Sequence, residues 1–398
     1  MNALDVLLGD THVGLLERLD EWQYRFSFTR AWLEDPAHPV LGQIFEDQQP
    51  RDLDTTGTLP CWFDHLLPPE GSPLRRAIAR QTGIEDDFDL LEFLGADLPG
   101  AVVLRPGMPS LAPKPAAPVE PKRMNVGPLR FSLAGMQWKL SVRERDRKLT
   151  MPLRGETGQF IAKFPSPTYR DLPRVELATM RWAMLSGVDV PPCRLAPASD
   201  IENLPEGIPV GDGTIYVIER FDRGPDGARV HIEDLGQVLD LPADDHIYRA
   251  RYEHIAAFLA YFPREDLRAF CERLVFCVLC GNTDAHAKNW SIIYPDGRHP
   301  RLSPAYDLVA TVLYEPMASS NLALSLNDSR RFQDVNVESF RPLATVAQQP
   351  FDEVSSWVRE MADRVLRAWR ENVADLAFLP DERTRLEAHF ARVPLAAK

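Results

Sequence analysis

The sequence predicts an α+β chain built from a small amino-terminal α/β subdomain, a mixed lobe and an all-helical carboxyl lobe. Three observations support this. Residues 4 to 30 read as a small antiparallel sheet, with a hairpin signal at Gly9-Asp10 and period-2 alternation from Trp22 to Phe28. Residues 106 to 121 carry six prolines (Pro106, Pro109, Pro113, Pro115, Pro118 and Pro121), a composition that tends to polyproline II and builds no core. Beyond about residue 224 the apolar pattern becomes helical. The expected units are 1–105 (accessory subdomain), 106–123 (linker), 124–223 (mixed lobe) and 224–398 (helical lobe). A 398-residue chain that is 44% hydrophobic has core for about two or three domains.

In the first unit, Leu4 to Leu8 and Val13 to Leu16 flank Gly9-Asp10, a hairpin signal. Trp22, Tyr24, Phe26 and Phe28 alternate with polar residues, which places four aromatics on one buried face. Three short helices follow. One covers Leu59 to Leu67. The next is capped by Ser72 with Pro73 at its first position and ends near Gly83, and the third covers Phe88 to Leu94, closed by Gly95. Asp64 and His65 read as surface or capping residues.

After the linker, Phe131 to Val142 opens as a tight loop around Gly135 and ends as a strand. Phe160 to Pro165 is the next strand. A helix from Val175 to Leu185, with Glu176 in its first turn, ends at Gly187. Gly213 to Arg223 is a strand that breaks into a charged loop. The helical candidates beyond it are Ile232 to Asp240, Tyr248 to Tyr261, Glu265 to Cys280, Asp352 to Asn372 and Asp381 to Arg392.

A net charge of −13 argues against the chain itself being a principal nucleic-acid binder. Met1 to Gly9 has no basic stretch ahead of its apolar residues, and no apolar run is long enough to span a bilayer. A cytoplasmic location without membrane contact is the expectation. The five cysteines (Cys61, Cys193, Cys271, Cys277 and Cys280) are odd in number and scattered, unlike a disulfide framework. Cys277 and Cys280 form a C-x-x-C, but no second pair completes a zinc site. They lie on an apolar helix face and read as buried structural thiols.

The chemistry concentrates in residues 281 to 291, Gly-Asn-Thr-Asp-Ala-His-Ala-Lys-Asn-Trp-Ser. The apolar run Leu274 to Cys280 leads in, and the strand-like Trp290 to Tyr294 leads out. Asp284 and Asn289 stand five positions apart, and Asp307 follows eighteen residues later within Ser303-Pro304-Ala305-Tyr306-Asp307-Leu308. Phosphoryl transfer needs one carboxylate to accept the hydroxyl proton, and an amide and a second carboxylate to hold Mg²⁺ on the nucleotide phosphates. Protein kinases use an Asp-x-x-x-x-Asn loop and a later aspartate in this way. Here no His-Arg precedes Asp284 and no Phe-Gly follows Asp307. A polar turn with an Asx cap is the plainer reading of the spacing alone.

Upstream residues add to the kinase reading. Lys163 lies within an apolar strand, where a lysine is uncommon unless paired or functional. A kinase uses such a lysine on the α- and β-phosphates, tied to a glutamate of the following helix; Glu176 is available. The plainer alternative is an edge-strand lysine that snorkels to water. The loop around Gly135, with Gln137 and Lys139 as donors, could cradle phosphates or be an ordinary turn.

Taken together, the chain resembles the HipA-like serine/threonine kinases, toxin components of bacterial type II toxin–antitoxin pairs. The likeness runs through Phe63 to Pro68, Leu98 to Val102, Ser132-Leu133-Ala134-Gly135-x-Gln137-x-Lys139, Lys163 to Pro165, Glu219 to Arg223, Thr283 to Asn289 and Ser303 to Leu308. The resemblance implies a two-lobed, protein-kinase-like fold that uses ATP and Mg²⁺. It implies Asp284 as catalytic base, Asn289 and Asp307 as Mg²⁺ ligands, and Lys163 as the phosphate-binding lysine. Leu133, Ala134, Gly135, Met136, Gln137, Trp138 and Lys139 correspond to the ATP-covering loop. Glu219, Arg220 and Phe221 correspond to the hinge, and His286 and Lys288 to ATP-contacting positions. Ser132 falls where the family carries a regulatory autophosphorylated serine. The chain departs from the family at Val175-Glu176, where an Asn-Glu is frequent, and in the length of its linker.

The resemblance further implies a protein substrate in translation, with an aminoacyl-tRNA synthetase as the best-known kind. It also implies a helix-turn-helix antitoxin that supplies the DNA contacts, leaving DNA an indirect partner. Two other readings compete: a catalytically silent interaction protein that titrates an antitoxin, and a kinase for a small molecule. The completeness of the set Lys163, Asp284, Asn289 and Asp307 argues against the first.

Overall fold

The computed structural model describes residues 2–48, 52–109, 137–145, 148–150, 157–202, 204, 208–224 and 226–397. Ser132, Leu133, Ala134, Gly135 and Met136 lie outside the described residues, as does the linker from 110 onward.

The accessory subdomain contains β1 (Ala3–Leu8), β2 (Thr11–Arg18), β3 (Gln23–Phe28), α1 (Arg30–Glu34), α2 (Gln43–Gln48), β4 (Asp52–Thr56), α3 (Cys61–Asp64), α4 (Pro73–Thr82), α5 (Asp87–Leu94) and β5 (Val102–Pro106). The strands form one antiparallel sheet in the order β4-β3-β2-β1-β5. The expected hairpin across Gly9-Asp10 joins β1 to β2. Ser72 caps α4 by accepting from the Arg75 amide, Pro73 opens the helix and Gly83 closes it in the left-handed region. Tyr24 and Phe26 are buried, but Trp22 precedes β3 and is half exposed, so it does not join the expected aromatic face. β4 and β5 carry too little period-2 contrast to be read locally.

In the mixed lobe, β6 (Lys139–Arg145), β7 (Lys148–Thr150), β8 (Phe160–Lys163), β9 (Cys193–Pro197), β10 (Ile201–Glu202) and β11 (Thr214–Glu219) form a sheet. Its order is β10-β7-β6-β8-β11-β9. β8 is therefore interior, and Lys163 is not an edge residue. Helix α6 (Leu172–Leu185) starts earlier than the periodicity suggests, with Pro173 near its start, so Glu176 lies in the second turn. α6 is buried on most sides because it touches both this sheet and the carboxyl lobe. Trp182 packs against Phe276, Trp369 and Phe390, with ring centroids 5.3, 4.8 and 5.7 Å away.

The carboxyl lobe is helical in bulk: α7 (Leu235–Val238), α8 (Tyr252–Leu259), α9 (Arg264–Cys280), α10 (Arg341–Val346), α11 (Phe351–Asn372) and α12 (Pro380–Phe390). It is not wholly helical. β12 (His231–Asp234), β13 (Ser291–Tyr294) and β14 (Arg301–Leu302) form a small sheet. Ile232 to Asp240, expected as one helix, is β12 followed by the single turn α7, because its first residues pair with β13. In α11, Val354, Trp357, Val358, Met361 and Val365 recur at helical spacing and are buried. All five cysteines are free; Cys271, Cys277 and Cys280 are buried on α9, and burial pushes their thiols up. No described helix is long and apolar enough to cross a membrane.

Buried polar contacts tie the accessory subdomain to both lobes. Asp97 accepts from Arg220 (3.0 Å), Arg223 (2.9 Å), Ser141 (2.6 Å) and the Gly158 amide (3.2 Å). Asp222 accepts from the same two arginines and from the Gly100 amide (2.7 Å). His65, expected at the surface, is buried; its ring nitrogens face the Leu241 carbonyl (2.7 Å) and the Asp234 carboxylate (3.1 Å). Glu233, fully buried, accepts from Trp62 (2.8 Å), Tyr294 (2.5 Å) and the Gln43 amide (3.0 Å). Gly42 permits this approach, since a Cβ there would stand 2.5 Å from the Trp62 indole nitrogen.

Burial pushes the Glu233 carboxyl up to about 7 from the ordinary 4.5, although Tyr294, Trp62 and Gln43 donate to it. A raised carboxyl favours the folded state below the unfolded value. That contribution is lost as pH rises through the folded value. The shift corresponds to roughly 3 kcal/mol. The unfolding free energy of Glu233→Gln minus that of the wild type is expected to rise by about that amount between pH 4.5 and about 7. It should be level outside that window. Urea unfolding of both proteins across pH measures the difference.

Candidate active site

The site is anchored by the buried end of α9, where Leu274 to Cys280 are inaccessible to solvent. Gly281 caps the helix at φ 68°, and a Cβ there would stand 2.3 Å from Val312. Glycine thus turns the chain sharply into the loop of residues 282–290.

That loop is held by its own polar groups. Asn282 accepts from the Asp284 amide (2.9 Å), and the Asn289 side-chain nitrogen donates to the Asp284 carbonyl (2.7 Å). Thr311 donates to the Gly281 carbonyl (3.1 Å) and accepts from the Thr283 amide (2.7 Å). The Trp290 indole and the Tyr252 hydroxyl both donate to the Ala285 carbonyl, at 3.2 Å each. Asp284 and Asn289 consequently face the same cleft.

Asp307 arrives from the other direction. The chain leaves β14, and the Ala305 amide donates to the Asp189 carbonyl (2.8 Å). The Tyr306 hydroxyl donates to the Lys288 carbonyl (3.0 Å), which ties the two loops together. Asp307 sits at φ 54°, a left-handed conformation that aspartate tolerates better than most residues. Its carboxylate meets Lys163 on one oxygen and Lys139 on the other, the latter at 3.2 Å. Lys163 also pairs with Glu176 and is almost fully buried.

Two cations and two anions thus share one cluster, buried at Lys163 and Glu176 and partly open at Lys139. Burial would raise the Asp307 carboxyl, but Lys139 and Lys163 outweigh it and hold Asp307 well below the usual range. Burial likewise would lower Lys163, and Asp307 and Glu176 outweigh it to keep the ammonium charged. Burial pushes Glu176 up, against the pull of Lys163.

A cavity at the lobe junction is lined by Gln137, Lys139, Lys163, Leu172, Glu176, Asn282, Asp284, Asn289, Asp307, Val309 and Thr311. It gathers six of the residues singled out in the sequence, together with Glu176. Leu172, Asn282, Val309 and Thr311 carried no assigned role beforehand. Asn282 and Thr311 stand within or near the two motif loops but lacked a recognisable pattern.

Other expected residues lie elsewhere. The Arg220 side chain turns into the network with Asp97 and Asp222, and its amide donates to the Gln159 carbonyl (2.9 Å). The Glu219 amide donates to the Pro192 carbonyl (2.9 Å), and its side chain is exposed. The Phe221 ring packs on Tyr306 with centroids 5.6 Å apart. Trp138 packs against the small core of the mixed lobe. The Lys288 ammonium donates to the His65 carbonyl (3.2 Å) of the accessory subdomain. His286 is buried beside Asp284, and neither ring nitrogen has a hydrogen-bond partner among the described residues. Burial and then Lys288 push its ring down to about 3, which makes it neutral at physiological pH.

The donor chemistry fits a hard cation. Asp307 offers a carboxylate, and the Asn289 amide, with its nitrogen committed to Asp284, offers oxygen. Mg²⁺ takes oxygen ligands and commonly relies on one or two protein groups with phosphates and water completing its shell. No cluster of three or more acidic, histidine or cysteine ligands exists among the described residues. Lys139 and Lys163, which line the cavity, suit polyanionic phosphates.

Comparison with known proteins places this geometry. Residues 4–105 match the HipA N-terminal domain and residues 131–369 match the HipA-like C-terminal domain. "Putative kinase Y4dM" of Sinorhizobium fredii (strain NBRC 101917 / NGR234) is 36% identical, over 99% of this chain and 98% of its own. "Serine/threonine-protein kinase toxin HipA" of Shewanella oneidensis is 25% identical, over 99% of this chain and 94% of its own. The fold superposes on a solved Shewanella oneidensis MR-1 structure, a complex of the toxin–antitoxin proteins HipA and HipB with operator DNA. The TM-score is 0.71 at 22% identity, covering 99% of this chain and 96% of that one. With both domains matched in order and a relative this similar along its whole length, the chain belongs to the HipA family.

Proposed function

We propose that the chain is an ATP- and Mg²⁺-dependent serine/threonine protein kinase acting in the cytoplasm. The reading rests on one observation: Asp284, Asn289, Asp307 and the Lys163–Glu176 pair line a single cleft between the lobes. Asp284 is the general base. The acceptor hydroxyl gives its proton to the Asp284 carboxylate as its oxygen bonds to the γ-phosphorus, and the bond from that phosphorus to the β–γ bridging oxygen breaks to release ADP. Lys163, fixed by Glu176, and Lys139 bind and orient the phosphates. Asp307 and Asn289 hold Mg²⁺, which neutralises phosphate charge when bound. His286 and Lys288 are the proposed ATP-contacting residues of the loop, a role the family resemblance supports. The backbone of Glu219 to Phe221 forms the hinge, and Leu133 to Lys139 covers the nucleotide.

The substrate class is a protein, with a translation component such as an aminoacyl-tRNA synthetase as the proposed target. The partner is a helix-turn-helix antitoxin that carries the DNA contacts. The solved Shewanella complex, which unites HipA, HipB and operator DNA, supports that assignment. Autophosphorylation at Ser132 is the proposed self-inhibition. A phosphate there adds nearly two negative charges at the start of the nucleotide-covering loop.

Three measurements test the reading. Asp284→Asn keeps the side-chain size and removes the base; kcat should fall about 10²- to 10⁴-fold with ATP affinity little changed. Retention of wild-type kcat would remove Asp284 from this role. Asp307→Ala should abolish most of the Mg²⁺ dependence of ATP binding, read by calorimetric titration with and without the metal. An unaltered Mg²⁺ dependence contradicts the ligand assignment. Incubation with Mg²⁺-ATP should add one phosphate at Ser132, seen by intact mass and peptide mapping, and the modified form should bind ATP more weakly. The regulatory role fails if no phosphate appears there, or if the modified chain binds ATP as tightly as before.

A further inference from the structure

The contacts that fix the catalytic loop act on its main chain. The Asp284 amide and carbonyl are tied to Asn282 and Asn289, but neither contact restrains the rotation of the carboxylate. That torsion is intrinsically soft, with broad preferences. A general base must nevertheless present an oxygen to the acceptor hydroxyl within about 2.6–3.2 Å. A contact from beyond the loop can supply that orientation.

Tyr248 makes that contact. Its hydroxyl donates to Oδ1 of Asp284 at 3.1 Å. Asp284 lines the cavity and Tyr248 does not, so the phenol reaches the carboxylate from outside the cavity. His286 approaches the same oxygen only to 3.8 Å, too far for a hydrogen bond.

Tyr248 is itself well anchored. It ends a 3₁₀ turn, Asp245–Tyr248, which Asp244 caps by accepting from the His246 amide (2.8 Å). The neighbouring Ile247 is buried. The Tyr248 carbonyl accepts from the Arg330 guanidinium, and its ring stands edge-on to His286, with centroids 5.0 Å apart and planes at 80°. This turn lies 36 residues before the loop it serves and belongs to no motif in the sequence.

We propose that Tyr248 is the positioning residue of the general base: its hydroxyl holds Oδ1 of Asp284 and so sets the direction in which the carboxylate meets the acceptor hydroxyl. This inference rests on the assignment of Asp284 as base. Tyr248 acts through Asp284 and takes no part in nucleotide binding. Small misplacements of a reacting group cost up to about 100-fold in rate.

The test uses the full chain in four forms: wild type, Tyr248→Phe, Asp284→Asn and the double variant. Tyr248→Phe keeps the ring on His286 and the carbonyl contact with Arg330, so the fold is retained. Labelled Mg²⁺-ATP, with dephosphorylated casein and the chain itself as acceptors, gives kcat and the KM for ATP. Tyr248→Phe should lower kcat about 10- to 100-fold with the KM for ATP unchanged. On the Asp284→Asn background the same substitution should have no further effect, because residues that act as a unit are not additive.

Full kcat in Asp284→Asn overturns the base assignment. Loss in Asp284→Asn with wild-type kcat in Tyr248→Phe overturns the role of Tyr248 alone. An equal loss from Tyr248→Phe on both backgrounds also overturns it, since the tyrosine would then act elsewhere. Crystal structures of wild type and Tyr248→Phe decide the matter even if neither acceptor is labelled. The Asp284 carboxylate should be rotated or split between orientations in the variant, and an unaltered carboxylate overturns the proposal.

Discussion

A buried ammonium cannot stay charged in a protein interior without anions beside it, and the architecture around the cleft follows from satisfying Lys163. The lysine projects from an interior strand. Its partners come from two other places: Glu176 from α6, and Asp307 from the loop after β14. The cluster therefore joins the sheet, the helix between the lobes and the carboxyl lobe at one point. Removing Lys163 takes the contacting cation from the fully buried Glu176 carboxylate, the costly case for buried ion pairs. Lys139 adds a second cation, so the described cluster is balanced at two charges of each sign.

This balance is also chemically ready. Asp307 is held ionised by the two lysines, and a carboxylate must be ionised to bind a cation. The two lysines gather where phosphates are expected. Positive φ at Asp307 places a strained residue at this point, in keeping with the tendency of unusual backbone conformations to occur at functional sites.

The accessory subdomain is joined to the lobes by the same physical means. Asp97 and Asp222 share Arg220 and Arg223, and His65 reaches Asp234 at the start of α7. Lys288, within the 282–290 loop, donates to the His65 carbonyl. Arg220, expected at the hinge, faces this interface and not the cleft, because its guanidinium finds two carboxylates there.

Local chemistry determined much of this protein in advance. Ser72, Pro73 and Gly83 mark the ends of α4, Gly9-Asp10 marks a hairpin, and the buried run into Gly281 marks a helix that stops. These are short-range effects, legible in one stretch of chain. Asp284, Asn289, Asp307 and Lys163 were legible because fixed spacings and an oddly placed lysine signal chemistry. Tertiary structure alone decided what depends on distant partners. It made β8 an interior strand, turned part of an expected helix into β12, exposed Trp22 and buried His65 against Asp234. It also set Tyr248 on Asp284 and turned Arg220 away from the cleft. Strand order, burial and the pairing of charges are settled by residues tens to hundreds of positions apart, and no local pattern encodes which of them will meet.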